Sequence, residues 1–195
     1  MERVAVATRG RGRPRLHAID AALHAATWDV IAREGYAGLT FEAVATAAGC
    51  TRMSIYRRFS NKAELVGATL FATSRAVEPV IAADVPPVEA LMMHARATLD
   101  YLSGKRGLAV LSLIEASARS PELHDITERY AQGEREYFLA LFRQIAPDAD
   151  QDRLHFAFDS YVGLMTHHVV VRRMPSTPHK LRLIVDSVLT MLTAD

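Results

Sequence analysis

The side chains best suited to molecular recognition lie between Thr40 and Lys62. One side of a short predicted helix there carries donor groups and slim side chains, namely Thr51, Arg52, Met53, Ser54, Arg57 and Arg58. Such groups suit the base edges and phosphates of a DNA major groove. The other side carries Cys50, Ile55 and Phe59, which we expect to pack inward, with Cys50 serving packing rather than redox chemistry.

A second basic feature precedes this segment. In Arg9-Gly10-Arg11-Gly12-Arg13-Pro14-Arg15, four arginines alternate with Gly or Pro and no acid interrupts them. Because Gly and Pro oppose a regular helix, we expect residues 1–15 to form an extended, flexible arm that resembles the core of an AT-hook. Arg11, Arg13 and Arg15 would then enter the narrow minor groove of A·T-rich DNA, or would contact phosphates without sequence preference.

Residue patterns that would favour catalysis or metal binding are missing. Cys50 is the single cysteine, which excludes a disulfide framework and a cysteine-only metal cluster. His167 and His168 are adjacent, so they point about 100° apart on a helix and cannot form an i, i+4 metal pair. Serine-hydrolase, zinc-peptidase and phosphate-loop motifs are absent. We therefore expect no enzyme, no cofactor and no metal, with a small all-α enzyme that uses a His/Glu site as a disfavoured alternative.

The net charge of +1 conceals two halves of opposite sign. Residues 1–75 contain 11 Lys and Arg against 6 Asp and Glu, a net charge of +5, whereas residues 76–195 contain 12 against 16, a net charge of −4. This asymmetry is typical of a nucleic-acid reader joined to a second module, although it also arises by accident of composition. The N-terminus lacks the apolar region of a signal peptide, and no apolar stretch is long enough to span a membrane, so we expect a cytoplasmic protein without membrane contact.

Apolar spacing and capping residues predict an all-α fold. About nine helices follow from this pattern. They cover residues 16–34, 41–48, 52–59, 61–77, 86–104, 106–118, 121–145, 152–173 and 179–192. Thr40 and Thr51 are suitable N-caps, and Gly49 breaks the chain between two short helices, which is the form of a helix-turn-helix. Any two short amphipathic helices would look similar, so this pattern alone leaves the motif open.

Four motifs in fixed order make the assignment more specific. They are Gly35-Tyr36-x-x-Leu39-Thr40, Val44-Ala45-x-x-Ala48-Gly49, Ser54-Ile55-Tyr56-Arg57-Arg58-Phe59 and Asn61-Lys62-x-Glu64-Leu65. With their spacing, they resemble the DNA-binding domain of TetR-family transcriptional regulators. The resemblance implies a helix-turn-helix domain over residues 16–65, followed by a helical effector-binding and dimerisation domain over residues 66–195. It also implies phosphate contacts by Thr40, Tyr56, Arg58 and Lys62, and base reading by Thr51, Arg52, Met53 and Arg57, with Arg52 best placed for guanine.

The two last predicted helices carry apolar residues on more than one face. One stripe runs through Leu154, Phe158, Tyr161 and Met165, and a second face is apolar as well. A helix that is apolar on two sides is buried on two sides, which indicates a homodimer built as a four-helix bundle, with a single monomeric core as the alternative. The expected interface residues are Phe156, Gly163, Val170, Ile184, Val188 and Met191.

Methionine and aromatic side chains between Met92 and Met165 would make adaptable walls for an apolar ligand pocket, or would simply fill the core. These candidates, with one carboxylate, are Met92, Met93, Leu99, Leu113, Glu115, Tyr130, Tyr137, Phe138, Phe158, Tyr161 and Met165. We therefore expect a dimeric repressor that binds palindromic double-stranded DNA and is released by a small apolar or amphipathic effector. The alternative is a minor-groove architectural protein without operator specificity.

Overall fold

The chain is built from nine α-helices and one π-helical segment within the residues that the structure describes, and it has no strand there. This computed structural model describes residues 13–175 and 177–194, with side chains from Ile19 onward except those of 75–77. The α-helices are α1 (Arg13–Gly38), α2 (Phe41–Ala48), α3 (Arg52–Tyr56), α4 (Lys62–Val77), α5 (Pro87–Leu102), α6 (Lys105–Ser117), α7 (Pro121–Ile145), α8 (Gln151–Met165) and α9 (Pro178–Thr193). The predicted all-α class is confirmed. No described helix has both the length and the apolar character needed to cross a membrane.

Both boundaries of the first helix differ from the sequence-based prediction. Helix α1 begins at Arg13 rather than at residue 16, because Pro14 falls in the first helical turn, where its missing N–H is not needed. The extended arm predicted through residue 15 is therefore wrong for residues 13–15. At its other end, α1 continues to Gly38 across a kink at Gly35, which has φ 70°.

The predicted helix over residues 152–173 is divided. Helix α8 ends at Met165, and Thr166–Val171 forms a π-helical segment. A π-turn has more residues than an α-turn, so the faces presented beyond Met165 rotate relative to those of α8. Apolar periodicity cannot reveal such a change, because it assumes a constant 3.6-residue period.

Side-chain caps fix the three helices around the predicted motif. The Thr40 and Thr51 hydroxyls accept hydrogen bonds from the amides of Ala43 and Ser54, at 3.1 and 3.3 Å. The Asn61 side chain accepts from the amide of Glu64 at 2.8 Å. Within that capping box, Glu64 reaches back to the backbone N–H of Ser60 at 2.9 Å, one residue before the cap itself.

Two hydrophobic clusters form the interior. The first contains residues of α1, α2, α3 and α4, together with Ala109 and Leu113 of α6 and Leu123 of α7. The second lies among α5, α7, α8, the π-helical segment and α9. Because α6 and α7 contribute to the first cluster, the motif region rests on a platform of helices from the C-terminal part of the chain.

Helix α4 is fastened to α1 along its length by polar contacts as well as by packing. The Trp28 indole donates to the Thr73 hydroxyl at 2.8 Å, and the His24 ring is 2.9 Å from the Thr69 hydroxyl. Both threonines also donate to backbone carbonyls one turn earlier in α4. Because these polar groups are partly buried, leaving them unpaired would be costly. The hydrogen bonds therefore fix the position of α4 against α1.

A glycine near the start of α6 permits the tight connection from α5. A Cβ atom built on Gly107 would lie 2.3 Å from the Leu102 carbonyl oxygen and 3.3 Å from a methyl group of Val170. The nearer neighbour is backbone, which cannot turn aside as a side chain would. The close approach of α5, α6 and the π-helical segment therefore requires glycine at this position.

We predict that Gly107→Ala lowers the free energy of unfolding by about 1–3 kcal/mol, because the added methyl group overpacks the site. The measurement is urea denaturation followed by circular dichroism. Gly133→Ala is the matched control, since Gly133 lies inside α7 and a Cβ atom added there would have no neighbour within 4 Å. That variant should be as stable as the parent or gain up to about 1 kcal/mol. Equal stability of the two variants would contradict this assignment.

Candidate nucleic-acid interface and ligand cavity

The turn between α2 and α3 has the geometry of a helix-turn-helix. Gly49 ends α2 in the left-handed region, with φ 65°, and the next amide, that of Cys50, donates to the Ala45 carbonyl at 3.0 Å. Val44, Ala45 and Ile55 are buried and fix the two helices against each other. Cys50 is half-buried beside this cluster, as expected for a packing residue.

The outward surface of α3 carries the side chains predicted to read DNA. Thr51, Arg52 and Arg57 are exposed. Met53 and Tyr56 are also exposed, by 60% and 59%, and add apolar area to this surface. Ser54 is half-buried, and its hydroxyl lies 2.9 Å from that of Thr51. The predicted base-reading residues therefore share one open surface.

The charged groups of this surface are held only weakly. Arg52 pairs with Glu42 of α2 at 3.4 Å, and both side chains are more than half exposed. An exposed pair of this kind contributes little to stability. The Arg52 guanidinium can therefore leave Glu42 for a base or a phosphate at small cost.

Two predicted phosphate ligands are already engaged inside the molecule. Arg58 donates to Asp20 of α1 at 2.9 Å and to the Ser54 carbonyl at 2.8 Å. Lys62 donates to the Tyr36 carbonyl at 2.9 Å, and its ammonium lies 4.2 Å from the centre of the Tyr36 ring. These contacts tie α3 and α4 to α1, a role that the sequence did not suggest for either residue.

The remaining predicted DNA contacts divide into two groups. Thr40 is exposed at the start of α2, where first-turn amides suit a phosphate oxygen, and the Tyr56 ring is held edge-on against Phe41 at 4.9 Å. Arg11 lies outside the described residues, as do the side chains of Arg13 and Arg15. The arm's route along DNA stays a prediction.

A cavity of about 720 Å³ lies between α4, α5, α6, α7 and α8. Seven of the eleven predicted ligand-contacting residues line it, namely Leu113, Tyr130, Tyr137, Phe138, Phe158, Tyr161 and Met165. The volume and aromatic walls are those of a site for a drug-sized molecule. Val162 and Gly163 of α8, both exposed, also belong to its wall, so the cavity reaches the surface at α8.

Four predicted ligand contacts do not line this cavity. Leu99 is 2% exposed within the second hydrophobic cluster, and Met92 packs against the same cluster. Met93 is half-buried elsewhere on α5. Glu115 forms an exposed ion pair with Arg119, just after the end of α6, at 3.2 Å, so its carboxylate points to solvent rather than to a ligand. We correct the predicted ligand set accordingly.

Sequence reasoning missed the polar groups of the cavity. Its wall includes Glu78, Glu128, Glu134 and Asp159, with His94 and Arg135. The spacing of Tyr130, Glu134 and Tyr137 would place all three on one face of α7, and that signal could have identified Glu134. His94 has its Nε2 atom 2.5 Å from the Tyr137 hydroxyl.

Burial changes the acid–base properties of these groups. Desolvation raises the pKa of Glu134, and the negative charge of Glu78 raises it further. Desolvation lowers the pKa of His94, which keeps its imidazole neutral at pH 7 despite the opposing effect of Glu78. Desolvation also raises the pKa of Tyr130 to about 12, so its phenol stays protonated.

The predicted dimer face needs correction. Val170, Ile184 and Val188 are buried by this chain's own helices, at 4%, 5% and 0% exposure, and so cannot reach a partner. Val170 turns inward toward Gly107 because the π-helical segment rotates it out of line with Phe156 and Gly163.

The other predicted interface positions remain accessible. Phe156 is 64% exposed and Gly163 is exposed, while Met191 is half-buried. Leu183 on α9, which the sequence analysis did not select, is 52% exposed. Arg153 near the start of α8 donates to the Ala194 carbonyl after α9, so the two helices run antiparallel side by side.

No group of three His, Cys, Asp or Glu side chains in the described part of the chain is arranged to hold a metal ion. The His167 and His168 rings stand edge to face at 5.7 Å.

Comparisons with known proteins agree with this geometry. Residues 23–69 match the family model described as bacterial regulatory proteins of the tetR family. The chain is 26% identical over 178 residues to the HTH-type transcriptional regulator Rv1556 of Mycobacterium tuberculosis, covering 86% of this chain and 84% of the relative. A transcriptional regulator from Rhodococcus sp. Rha1 has the same fold, with a TM-score of 0.69, 22% identity, and coverage of 89% and 95% of the two chains.

The multidrug binding protein EbrR, solved in complex with ethidium, also shares the fold. Its TM-score is 0.64 at 18% identity, and the match covers 90% of this chain and 99% of EbrR. The family match falls on the helix-turn-helix that the geometry identifies, and the relatives extend over most of the chain. Residues 23–69 therefore form a DNA-binding domain of the TetR family, and the relatives that match over most of the chain support a TetR-family transcriptional regulator.

Proposed function

We propose that this regulator is a homodimeric repressor that binds a palindromic operator and leaves it when a small molecule occupies the cavity. Helix α4 carries this proposal. Lys62 at its first residue holds the Tyr36 carbonyl beside the helix-turn-helix, while Leu70, Thr73 and Ser74 near its other end line the cavity. One rigid element therefore contacts both sites.

Contacts between α4 and α7 supply a route for coupling. The side-chain amide of Asn61, just before α4, donates to the carboxylate of Glu122 at the start of α7, at 2.5 Å. Farther along, Gly67 lies so close to Ile126 that a Cβ atom would be 2.7 Å from its methyl group. A ligand that separates α7 from α4 would therefore move α4, provided that it binds the two arrangements with different affinities.

For operator recognition we assign base reading to the exposed surface of α3. Thr51, Arg52, Met53, Ser54 and Arg57 would face the major groove, as base readers or as their immediate supports. The phosphate ligands would be Thr40, Tyr56, Arg58 and Lys62, with Arg11 before α1 and Arg13 and Arg15 in the first turn of α1 as further contacts. Arg58 and Lys62 would have to share their present internal partners with DNA.

We propose that the dimer forms through the exposed face of α8 and α9. Phe156, Gly163, Leu183 and Met191 replace the six-residue set expected from the sequence. A two-fold axis through this face would set two copies of α3 on successive turns of a palindrome, about 34–36 Å apart. The cavity reaches the surface at Val162 and Gly163, so the partner would border its mouth.

The effector would be a small apolar or amphipathic molecule. The seven predicted residues that line the cavity give it an aromatic and aliphatic wall. A chain with the same fold, EbrR, has been solved with ethidium bound. That neighbour supports the capacity of this architecture to bind small molecules.

We predict that Arg52→Ala weakens operator binding by about 1–3 kcal/mol and relaxes preference at one base position, because a base contact is lost. Fluorescence anisotropy with operator variants measures both effects, against random duplex as competitor. Arg119→Ala is the matched control, since Arg119 also pairs weakly with a glutamate on an exposed surface. A uniform loss across sequences would make Arg52 a phosphate ligand. Equal affinity of the parent for operator and random DNA would favour an architectural protein.

We predict that Lys62→Ala weakens binding to all duplexes and reduces the slope of log K against log salt by about one unit, because one phosphate contact is lost. The melting temperature should fall as well, since the Tyr36 carbonyl loses its donor. Lys105→Ala, at the exposed start of α6, is the control. A lower melting temperature with an unchanged salt slope would restrict Lys62 to a structural role.

We predict that Leu183→Arg converts the dimer into monomers and abolishes high-affinity operator binding, because a buried unpaired charge opposes association. Multi-angle light scattering measures the mass. Val80→Arg is the control, since Val80 is 97% exposed on the segment between α4 and α5. A dimer that survives both Leu183→Arg and Phe156→Arg would place the interface elsewhere.

A further inference from the structure

The charges around the cavity are strongly unbalanced. Its wall carries four carboxylates, Glu78, Glu128, Glu134 and Asp159, but Arg135 is its only permanently cationic side chain among the described residues. The Arg135 guanidinium lies 5.6 Å from the centre of the Phe158 ring, and His94 is neutral at pH 7. A ligand entering this space would therefore meet a negative potential.

Glu134 is the carboxylate placed deepest among the aromatic walls. It is half-buried on α7, one turn after Tyr130 and one turn before Tyr137 and Phe138. No ion pair to Glu134 occurs among the side chains that the structure describes. A half-buried carboxylate without a cation is costly to the folded protein, and such costs are typical of functional sites.

The aromatic groups complete a surface that favours positive charge. Tyr101, Tyr130, Tyr137, Phe138, Phe158 and Tyr161 all line the cavity. Their ring faces carry the negative end of the aromatic quadrupole, which attracts organic cations. The phenols stay protonated because desolvation raises the pKa values of Tyr101, Tyr130 and Tyr161.

We propose that the cavity selects lipophilic aromatic cations and that Glu134 is the counter-ion that distinguishes them from neutral or anionic molecules of the same shape. This inference rests on the proposed effector role of the cavity and gives that effector a chemical class. An ammonium, phosphonium or cationic dye would place its charge near Glu134 and its rings against the aromatic walls. The bound cation would supply the partner that Glu134 lacks among the described residues.

Two ions of equal shape and opposite charge test the proposal. Tetraphenylphosphonium and tetraphenylborate are titrated separately into the DNA-free protein by isothermal calorimetry. We expect the cation to bind at least about tenfold more tightly than the anion, because the wall charge adds to one and opposes the other. Equal affinities, or tighter binding of the anion, would overturn the proposal.

Variants locate the effect. Glu134→Gln should weaken the cation by about tenfold and leave the anion unchanged or tighter. Glu136→Gln is the matched control, two residues along α7, where the exposed carboxylate accepts a hydrogen bond from Gln132. Glu78→Gln is a second cavity variant in case Glu134→Gln fails to fold. Unchanged cation affinity in both cavity variants would overturn the role of the carboxylates.

A stability measurement separates binding from structural support. Because the pKa of Glu134 is raised in the folded protein, the ionised side chain stabilises the fold less than the protonated one does. The groups that interact with it are Glu78, Tyr130, Tyr137 and Tyr161, none of them a cation. Glu134→Gln should therefore raise the melting temperature at pH 7.5, and this gain should shrink as the pH falls through 4, because Glu134 then becomes protonated in both states. A lower melting temperature at pH 7.5 would make Glu134 a structural residue.

The effector role is tested separately with labelled operator. If tetraphenylphosphonium binds in a Glu134-dependent way but does not release operator, the proposed cation selectivity is supported. The proposal that a ligand in the cavity releases the repressor from DNA is then contradicted. If an uncharged molecule releases operator while neither tetraphenyl ion binds, the repressor stands and the selectivity proposed here fails.

Discussion

Helix α4 packs against both α1 and α7, and these two contacts connect the helix-turn-helix to the cavity. Its first residue, Lys62, grips the Tyr36 carbonyl, its middle binds α1 through Thr69 and Thr73, and its later residues form a wall of the cavity. Helix α4 is held to α1 by hydrogen bonds and to α7 by close packing. If α1 and α7 move apart, α4 must therefore separate from one of them. The proposed regulation therefore depends on whether α4 stays packed on α1 or moves with α7 when a ligand binds.

The two candidate sites leave different kinds of groups unsatisfied. On α3, Arg52 has only an exposed pairing with Glu42, and Met53 and Tyr56 leave apolar surface in water. In the cavity, Glu134 is partly withdrawn from water without a described cation beside it. Both arrangements lower stability slightly compared with a filled core and a neutral surface. Such costs persist where a partner molecule offsets them, which is why these regions carry the functional proposals.

The opposite charges of the two halves of the chain lie at different sites in the fold. Part of the N-terminal positive charge belongs to the α3 surface, while carboxylates of the C-terminal half line the cavity. Arg58 and Lys62 show that this division is incomplete, since both basic side chains also hold α3 and α4 against α1. A single side chain can therefore support the motif and be positioned for DNA at once.

Local patterns were enough to predict the helices, the caps and the helix-turn-helix, because apolar periodicity and N-cap chemistry depend on neighbours only three or four residues away. Thr40, Gly49 and Thr51 act where the pattern placed them. Local patterns could not show which apolar residues lie in the core, in the cavity wall or on the surface, because burial depends on helices distant in the chain. Val170 turned inward through a π-helical segment, Glu115 turned to solvent, and Glu134 joined the cavity wall. The positions of Val170 and Glu115 do not follow from a fixed helical period, since each depends on how one helix is rotated against another.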